Sequence, residues 1–186
     1  MRITILSLGL LAILGLGLMM AYRFELDSYR NREWIAAAAT RYQVPPKLVA
    51  AVIWQETRFN PICRGKAGEI GLMQVMPGSA REWAKAEHIA AFDAESLLDP
   101  ATNTMAGTWY LGRAINRWRA HSDPFPYALA EYNAGRANAL RWERGATLNS
   151  GEFTSTIDYP TTRAYVRAIL LNYRTFGQPW KRWGNK

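Results

Sequence analysis

Residues 48–56 read Leu-Val-Ala-Ala-Val-Ile-Trp-Gln-Glu. Leu48, Val49, Val52 and Ile53 recur at the spacing of one helical face. Pro46 suits the first position of a helix, and Asn60-Pro61 closes the pattern, so the sequence predicts a helix from Pro46 to about Thr57. Glu56 falls four residues after Val52 and three after Ile53, which continues the apolar face. A carboxyl group held there is partly withdrawn from water, its protonated form is favoured, and its pKa rises. A general acid working near neutral pH needs that property. Position alone also fits a helix-end glutamate that turns out to solvent.

The chain on either side reads as helices joined by short loops. Glu33 to Tyr42 is alanine-rich and helical, and Val44-Pro45-Pro46 stops it. Arg64 to Met76 carries Gly65, Gly68 and Gly71 and is expected to be irregular. Ser79-Ala80-Arg81-Glu82 fits a capping box for a helix through about Glu87. Asp99-Pro100 opens a helix to about Arg119, with Trp109, Leu111, Ile115 and Trp118 on its apolar side. Phe125 to Glu131 is a shorter helix, Gly135 interrupts the pattern, and a further piece runs to about Arg144. Gly145 to Tyr159 is turn-rich, and Thr162 to Phe176 closes the chain as a helix. No two-residue alternation persists, so the expected fold class is mainly α.

The N-terminus differs from the rest. After Arg2 an apolar run extends from Ile3 to Ala21, about 28 Å as a helix and close to the hydrocarbon thickness of a bilayer. Cleavage after Ala21 would put Met19 at −3, a poor signal-peptidase site, and no cysteine marks a lipoprotein signal. An uncleaved anchor therefore fits better than a cleaved signal, and either one exports the rest of the chain. Arg23, Arg30 and Arg32 beyond the run compete with Arg2, so charge leaves the orientation open. Glu25 to Asn31 is polar and reads as a juxtamembrane linker.

The formal net charge is +8 over 186 residues, which admits an anionic partner. Nucleic acid is not expected, because Lys and Arg are scattered with no run of five or six. Cys63 is alone, so no intrachain disulfide is possible, and His88 and His121 lack metal-ligand spacing. Neither a metal nor a cofactor is expected.

Beyond Glu56 a series of motifs runs in order: Thr57, Phe59-Asn60-Pro61, then Gly71-Leu72-Met73-Gln74-Val75-Met76-Pro77. Asp99-Pro100 with Asn103, Gly107 and Tyr110-Leu111 comes next. Ala130-Glu131-Tyr132-Asn133-Ala134-Gly135 and Arg163-Ala164-Tyr165-Val166 complete the set. Over residues 34–177 this series resembles the soluble-lytic-transglycosylase domain family, glycoside hydrolase family 23, which is lysozyme-like and related to goose-type lysozyme. The resemblance implies a lytic transglycosylase that cleaves peptidoglycan glycan strands between N-acetylmuramic acid and N-acetylglucosamine. It implies Glu56 as the single catalytic acid/base, and Met73, Gln74, Tyr132, Asn133 and Tyr165 as substrate-binding residues.

Three positions depart from the family pattern. Glu69 stands where alanine is commoner, Gly65 where serine is commoner, and Thr161 where a glutamate often precedes the Thr-Arg-x-Tyr-Val segment. Glu131 is a further carboxylate, expected to face solvent. A hydrolytic muramidase would need a second carboxylate, for which Glu69 or Glu131 are the candidates. A non-catalytic peptidoglycan-binding scaffold would be marked by loss of the acid, yet Glu56 is intact.

The expected organisation is an anchor or signal over residues 1–22, a juxtamembrane linker over 23–32 and a lysozyme-like transglycosylase domain over 33–186. The expected location is the bacterial inner membrane with the domain in the periplasm, or the periplasm itself after cleavage. A small domain on an anchor suits a local role, such as opening gaps for an envelope-spanning secretion or conjugation machine.

Overall fold

The computed structural model describes residues 2–145 and 150–175. The expected helix end at Phe176, and residues 146–149 of the turn-rich stretch, lie outside these. Among the described residues all regular structure is helical, with no strand. The helices are α1 (Arg2–Arg30), α2 (Arg32–Tyr42), α3 (Pro46–Thr57), α4 (Pro77–Ala86), α5 (Pro100–Arg117), α6 (Phe125–Ala134), α7 (Arg136–Glu143), α8 (Ser150–Thr156) and α9 (Pro160–Thr175), with one 3-10 turn at Ala94–Leu98. Residues 58–76 form an irregular loop held by isolated bridges from Ile70 to Arg64 and Val75.

The core is built around α3. Every side chain from Leu48 to Ile53 is fully buried, because α3 lies between α2 and α9 and carries apolar residues all round. α5 packs against α2, α4 and α6, and α6 packs in turn against α9. A second cluster fixes α5, α6 and α8 to one another: Tyr127 stacks on Phe153 at 3.9 Å and on His121 at 4.0 Å between ring centres.

Helix ends follow local chemistry. The Asp99 carboxylate accepts from the Thr102 amide at 2.8 Å and caps α5, as its sequence suggests. Gly135, at φ 84° and ψ 157°, breaks α6 from α7 in a region open essentially to glycine alone. The expected capping box at Ser79–Glu82 is not used. α4 begins earlier, at Pro77, whose fixed φ suits the first turn, and Ser79 already lies inside the helix.

The stretch read as a linker is also different. α1 runs without a break from Arg2 to Arg30, and Phe24 near its end is fully buried. Its ring stands edge-on to Trp54 at 5.8 Å and to Phe59 at 6.3 Å. Asp27 pairs with Arg23 and Arg30 within the same helix, at 3.5 and 3.8 Å. The polar stretch read as a juxtamembrane linker is thus helical: its charges neutralise one another at helical spacing while Phe24 docks the helix on α3. Residues 9–30 form a helix long and apolar enough to cross a membrane, with Leu10, Leu11, Ile13, Leu14, Leu16, Leu18 and Met19 exposed. The same length and composition fit a signal segment.

Candidate active site

α3 delivers Glu56 in its last turn. Arg58 and Phe59 then take left-handed backbone, at φ 52° and 63°, and turn the chain sharply away. The Thr57 hydroxyl donates to the Leu72 carbonyl at 2.9 Å and ties the helix end to the far side of the loop. Asn103 of α5 holds that loop from below. It is fully buried; its amide donates to the carbonyls of Ile70 at 2.7 Å and Leu97 at 2.8 Å, and its oxygen accepts from the Met73 amide at 2.8 Å. Gly71, at φ 73°, lies so close that a Cβ there would stand 2.3 Å from the Asn103 amide nitrogen.

A pocket of about 190 Å³ opens above this loop, lined by Glu56, Gly65, Lys66, Glu69, Gln74, Met76, Tyr132 and Asn133. A second, of about 210 Å³, shares Gln74, Met76, Tyr132 and Asn133 with it and adds Tyr110 and Ser79. Together they make a groove with Glu56 at one end.

Tyr165 of α9 donates its hydroxyl to Glu56 Oε1 at 2.6 Å. Glu56 is pushed up to about 7, first by burial, then by the neighbouring Glu69 charge, against the opposing pull of the Tyr165 hydrogen bond. Burial, with the Glu56 charge second, holds both the Tyr165 and Tyr132 phenols well above their ordinary value. A carboxyl group with this acidity, opening on a groove, can both give and take a proton near neutral pH.

The other expected site residues are brought to the same place by different means. Tyr132 packs edge-on against Tyr110 at 5.7 Å and donates to the Met73 carbonyl at 2.8 Å. Asn133 is exposed in the groove, and its oxygen accepts from the Thr162 hydroxyl at 2.8 Å, leaving its amide nitrogen as the donor. The Gln74 nitrogen donates to the carbonyls of Gly71 at 3.0 Å and Cys63 at 3.2 Å, which leaves its oxygen as the acceptor.

Met73 requires a correction. Its side chain is fully buried under α5 and does not line the groove. A Cβ at Gly107 would stand 2.6 Å from its sulfur, so Gly107 makes room for it. Met73 serves the site through its backbone, between Asn103 and Tyr132. Glu131 requires another. It is fully buried, pairs with Arg117 and accepts from the Trp118 indole nitrogen at 2.8 Å. Residues 126–131 of α6 are all buried, so this helix has no wet face there for a glutamate to use. Glu131 is thereby removed from the groove, whereas Glu69 is in it.

Asn103 and Thr162 both stand among the sequence motifs without a role, Thr162 as the first residue of the Thr-Arg-x-Tyr-Val segment. A buried polar residue whose partners lie on a distant loop gives no local signal.

Residues 33–152 match the transglycosylase SLT domain family. The chain belongs to that family. Among SLT-domain relatives, the soluble lytic murein transglycosylase of Escherichia coli (strain K12) is 30% identical over 131 residues, covering 69% of this chain and 20% of that protein. The membrane-bound lytic murein transglycosylase C of Actinobacillus succinogenes is 32% identical over 129 residues, covering 66% of this chain and 36% of the relative. The chain thus spans about a fifth of the length of its Escherichia coli relative.

Among solved SLT structures, an inactive mutant of the lytic transglycosylase Slt from Pseudomonas aeruginosa superposes with a TM-score of 0.73 at 26% identity, covering 81% of this chain and 24% of that one. The 70 kDa soluble lytic transglycosylase of Escherichia coli gives 0.71 at 27% identity, covering 83% and 25%. α9 and Tyr165 lie beyond the segment matched to the SLT family, and their place in the site rests on the Tyr165–Glu56 hydrogen bond.

Proposed function

We propose that this SLT-domain chain is a lytic transglycosylase that cleaves peptidoglycan glycan strands, held to the membrane by α1 with its groove in the periplasm. The observation that carries the reading is Glu56: a carboxyl pushed up to about 7, hydrogen-bonded by Tyr165, at the end of a groove. Protonated Glu56 donates to the glycosidic oxygen between N-acetylmuramic acid and N-acetylglucosamine. The substrate's own N-acetyl group buffers the positive charge that develops at the anomeric carbon. The Glu56 carboxylate then takes the proton of the muramyl 6-hydroxyl, whose oxygen closes on that carbon to give a 1,6-anhydro sugar. One carboxyl group serves both steps, with neither metal nor cofactor required.

The chain's own groups fit these roles. Tyr165 fixes the carboxyl orientation, and the Gln74 oxygen and Asn133 amide nitrogen offer an acceptor and a donor for sugar hydroxyl or N-acetyl groups. The exposed apolar length of α1 supports membrane attachment, at the inner membrane in this reading. A hydrolytic muramidase is the second reading, favoured by Glu69 beside Glu56 in the pocket. Muropeptide mass spectrometry after digestion of purified sacculi separates the two: anhydro-muramyl ends support the first, reducing muramic acid ends the second.

A further inference from the structure

Two of the three departures from the family pattern, Gly65 and Glu69, are a single structural feature. The left-handed glycines among the described residues are Gly68, Gly71 and Gly135, so the Gly65 backbone does not itself require glycine. Space does. A Cβ at Gly65 would stand 2.1 Å from Glu69 Oε2 and 2.8 Å from the Gln74 side-chain oxygen. The Glu69 carboxylate therefore occupies the place that a side chain at 65 would take. The same oxygen accepts from the Ala67 amide at 3.0 Å, which holds it at that point. Glu69 and Glu56 both line the pocket.

We propose that Glu69 is a positioning residue: its carboxylate, seated in the space left by Gly65 and held by the Ala67 amide, acts through Glu56 and sets the pH range over which the chain works. This rests on Glu56 being the acid/base. Two like charges sharing one pocket disfavour ionisation of the one that burial already penalises. Glu56 is largely withdrawn from water, and Glu69 is the charged group that raises it after burial itself. The other groups facing Glu56 do not supply this effect. Tyr165 from α9 and Tyr132 from α6 are phenols kept neutral by burial, and Lys66 of the loop is exposed, where water and salt screen it. Gln74 and Asn133 are uncharged.

The test uses the full chain in detergent, with the pH profile of kcat/KM on purified sacculi and, independently, the carbon-13 NMR titration of the Glu56 carboxyl, assigned with Glu56→Gln. Glu69→Gln keeps the shape and removes the charge. The alkaline limb and the Glu56 titration should both move to lower pH by about half a unit or more, with the melting temperature equal to the parent's at about pH 4 and no lower than it at about pH 8. Gly65→Ala forces the carboxylate from its seat, so it should move the Glu56 titration in the parent and leave it unmoved in a Glu69→Ala background. A Glu69→Gln titration that stays in place or rises overturns the proposal, as does an equal effect of Gly65→Ala in both backgrounds. If the parent cleaves no sacculi, the transglycosylase reading fails, while the NMR titration still decides the action of Glu69 on Glu56.

Discussion

Glu56 carries an electrostatic cost in the folded chain. Its pKa rises from 4.5 in the free side chain to about 7, so the folded state holds this proton more tightly than the unfolded chain does. Well below the unfolded value both states are protonated and no penalty exists. The penalty grows as pH rises from 4.5 through 7 and is complete above that, at about 3 kcal/mol. Glutamine keeps the shape and cannot ionise. Glu56→Gln is expected to abolish cleavage, to melt with the parent at about pH 4 and to melt several degrees above it at about pH 8. Equal melting at both pH values would show that Glu56 ionises freely in the fold. Tyr165 pulls the other way, because its hydrogen bond favours the charged carboxylate. Tyr165→Phe should reduce kcat and shift the alkaline limb of the pH profile upward; a downward shift would contradict that role. At this scale the sequence was informative where spacing sets the environment. The position of Glu56 on an apolar stripe is legible from Leu48, Val52 and Ile53. The burial of Glu131 and Met73 is not, because it depends on α5 lying over them.

The elements show how a loop is made rigid enough to serve chemistry. The 58–76 segment lacks helix, and its order comes from contacts made by α3 and α5, above all the three hydrogen bonds of buried Asn103. Asn103→Ala leaves a buried amide and two buried carbonyls without that partner, at about 3 kcal/mol or more. Thermal melts should show a loss of about 6 °C or more, and a variant that melts with the parent would mean that the loop holds itself. Most helices and most of their boundaries are legible in the sequence, since Pro46, Asp99-Pro100 and Gly135 act locally; α8 is not, because Ser150–Thr156 lies in the stretch that reads as turns. The start of α4 is misread because Met76-Pro77 already begins the helix that the Ser79–Glu82 pattern also suits. The continuation of α1 through Arg30 is misread because a tertiary contact, Phe24 on Trp54 and Phe59, decides it.

For the whole molecule, the break-free passage of α1 into the domain joins attachment to the site. Phe24 docks α1 against Trp54 of α3, two residues before Glu56. With α1 in a bilayer, the groove is held near the membrane surface rather than on a slack tether. The full chain is expected to sediment with membranes and to resist extraction by high salt while yielding to detergent; release by salt, or a mature N-terminus near Tyr22, would contradict an anchor.

The central claim is that one carboxyl group, Glu56, cleaves glycan strands without water. Mass spectrometry of muropeptides released from purified sacculi by the parent and by Glu56→Gln tests it most directly. The parent is expected to give 1,6-anhydro-muramyl ends, and the variant to release nothing. Reducing muramic acid ends as the main product, or release that survives Glu56→Gln, would contradict it.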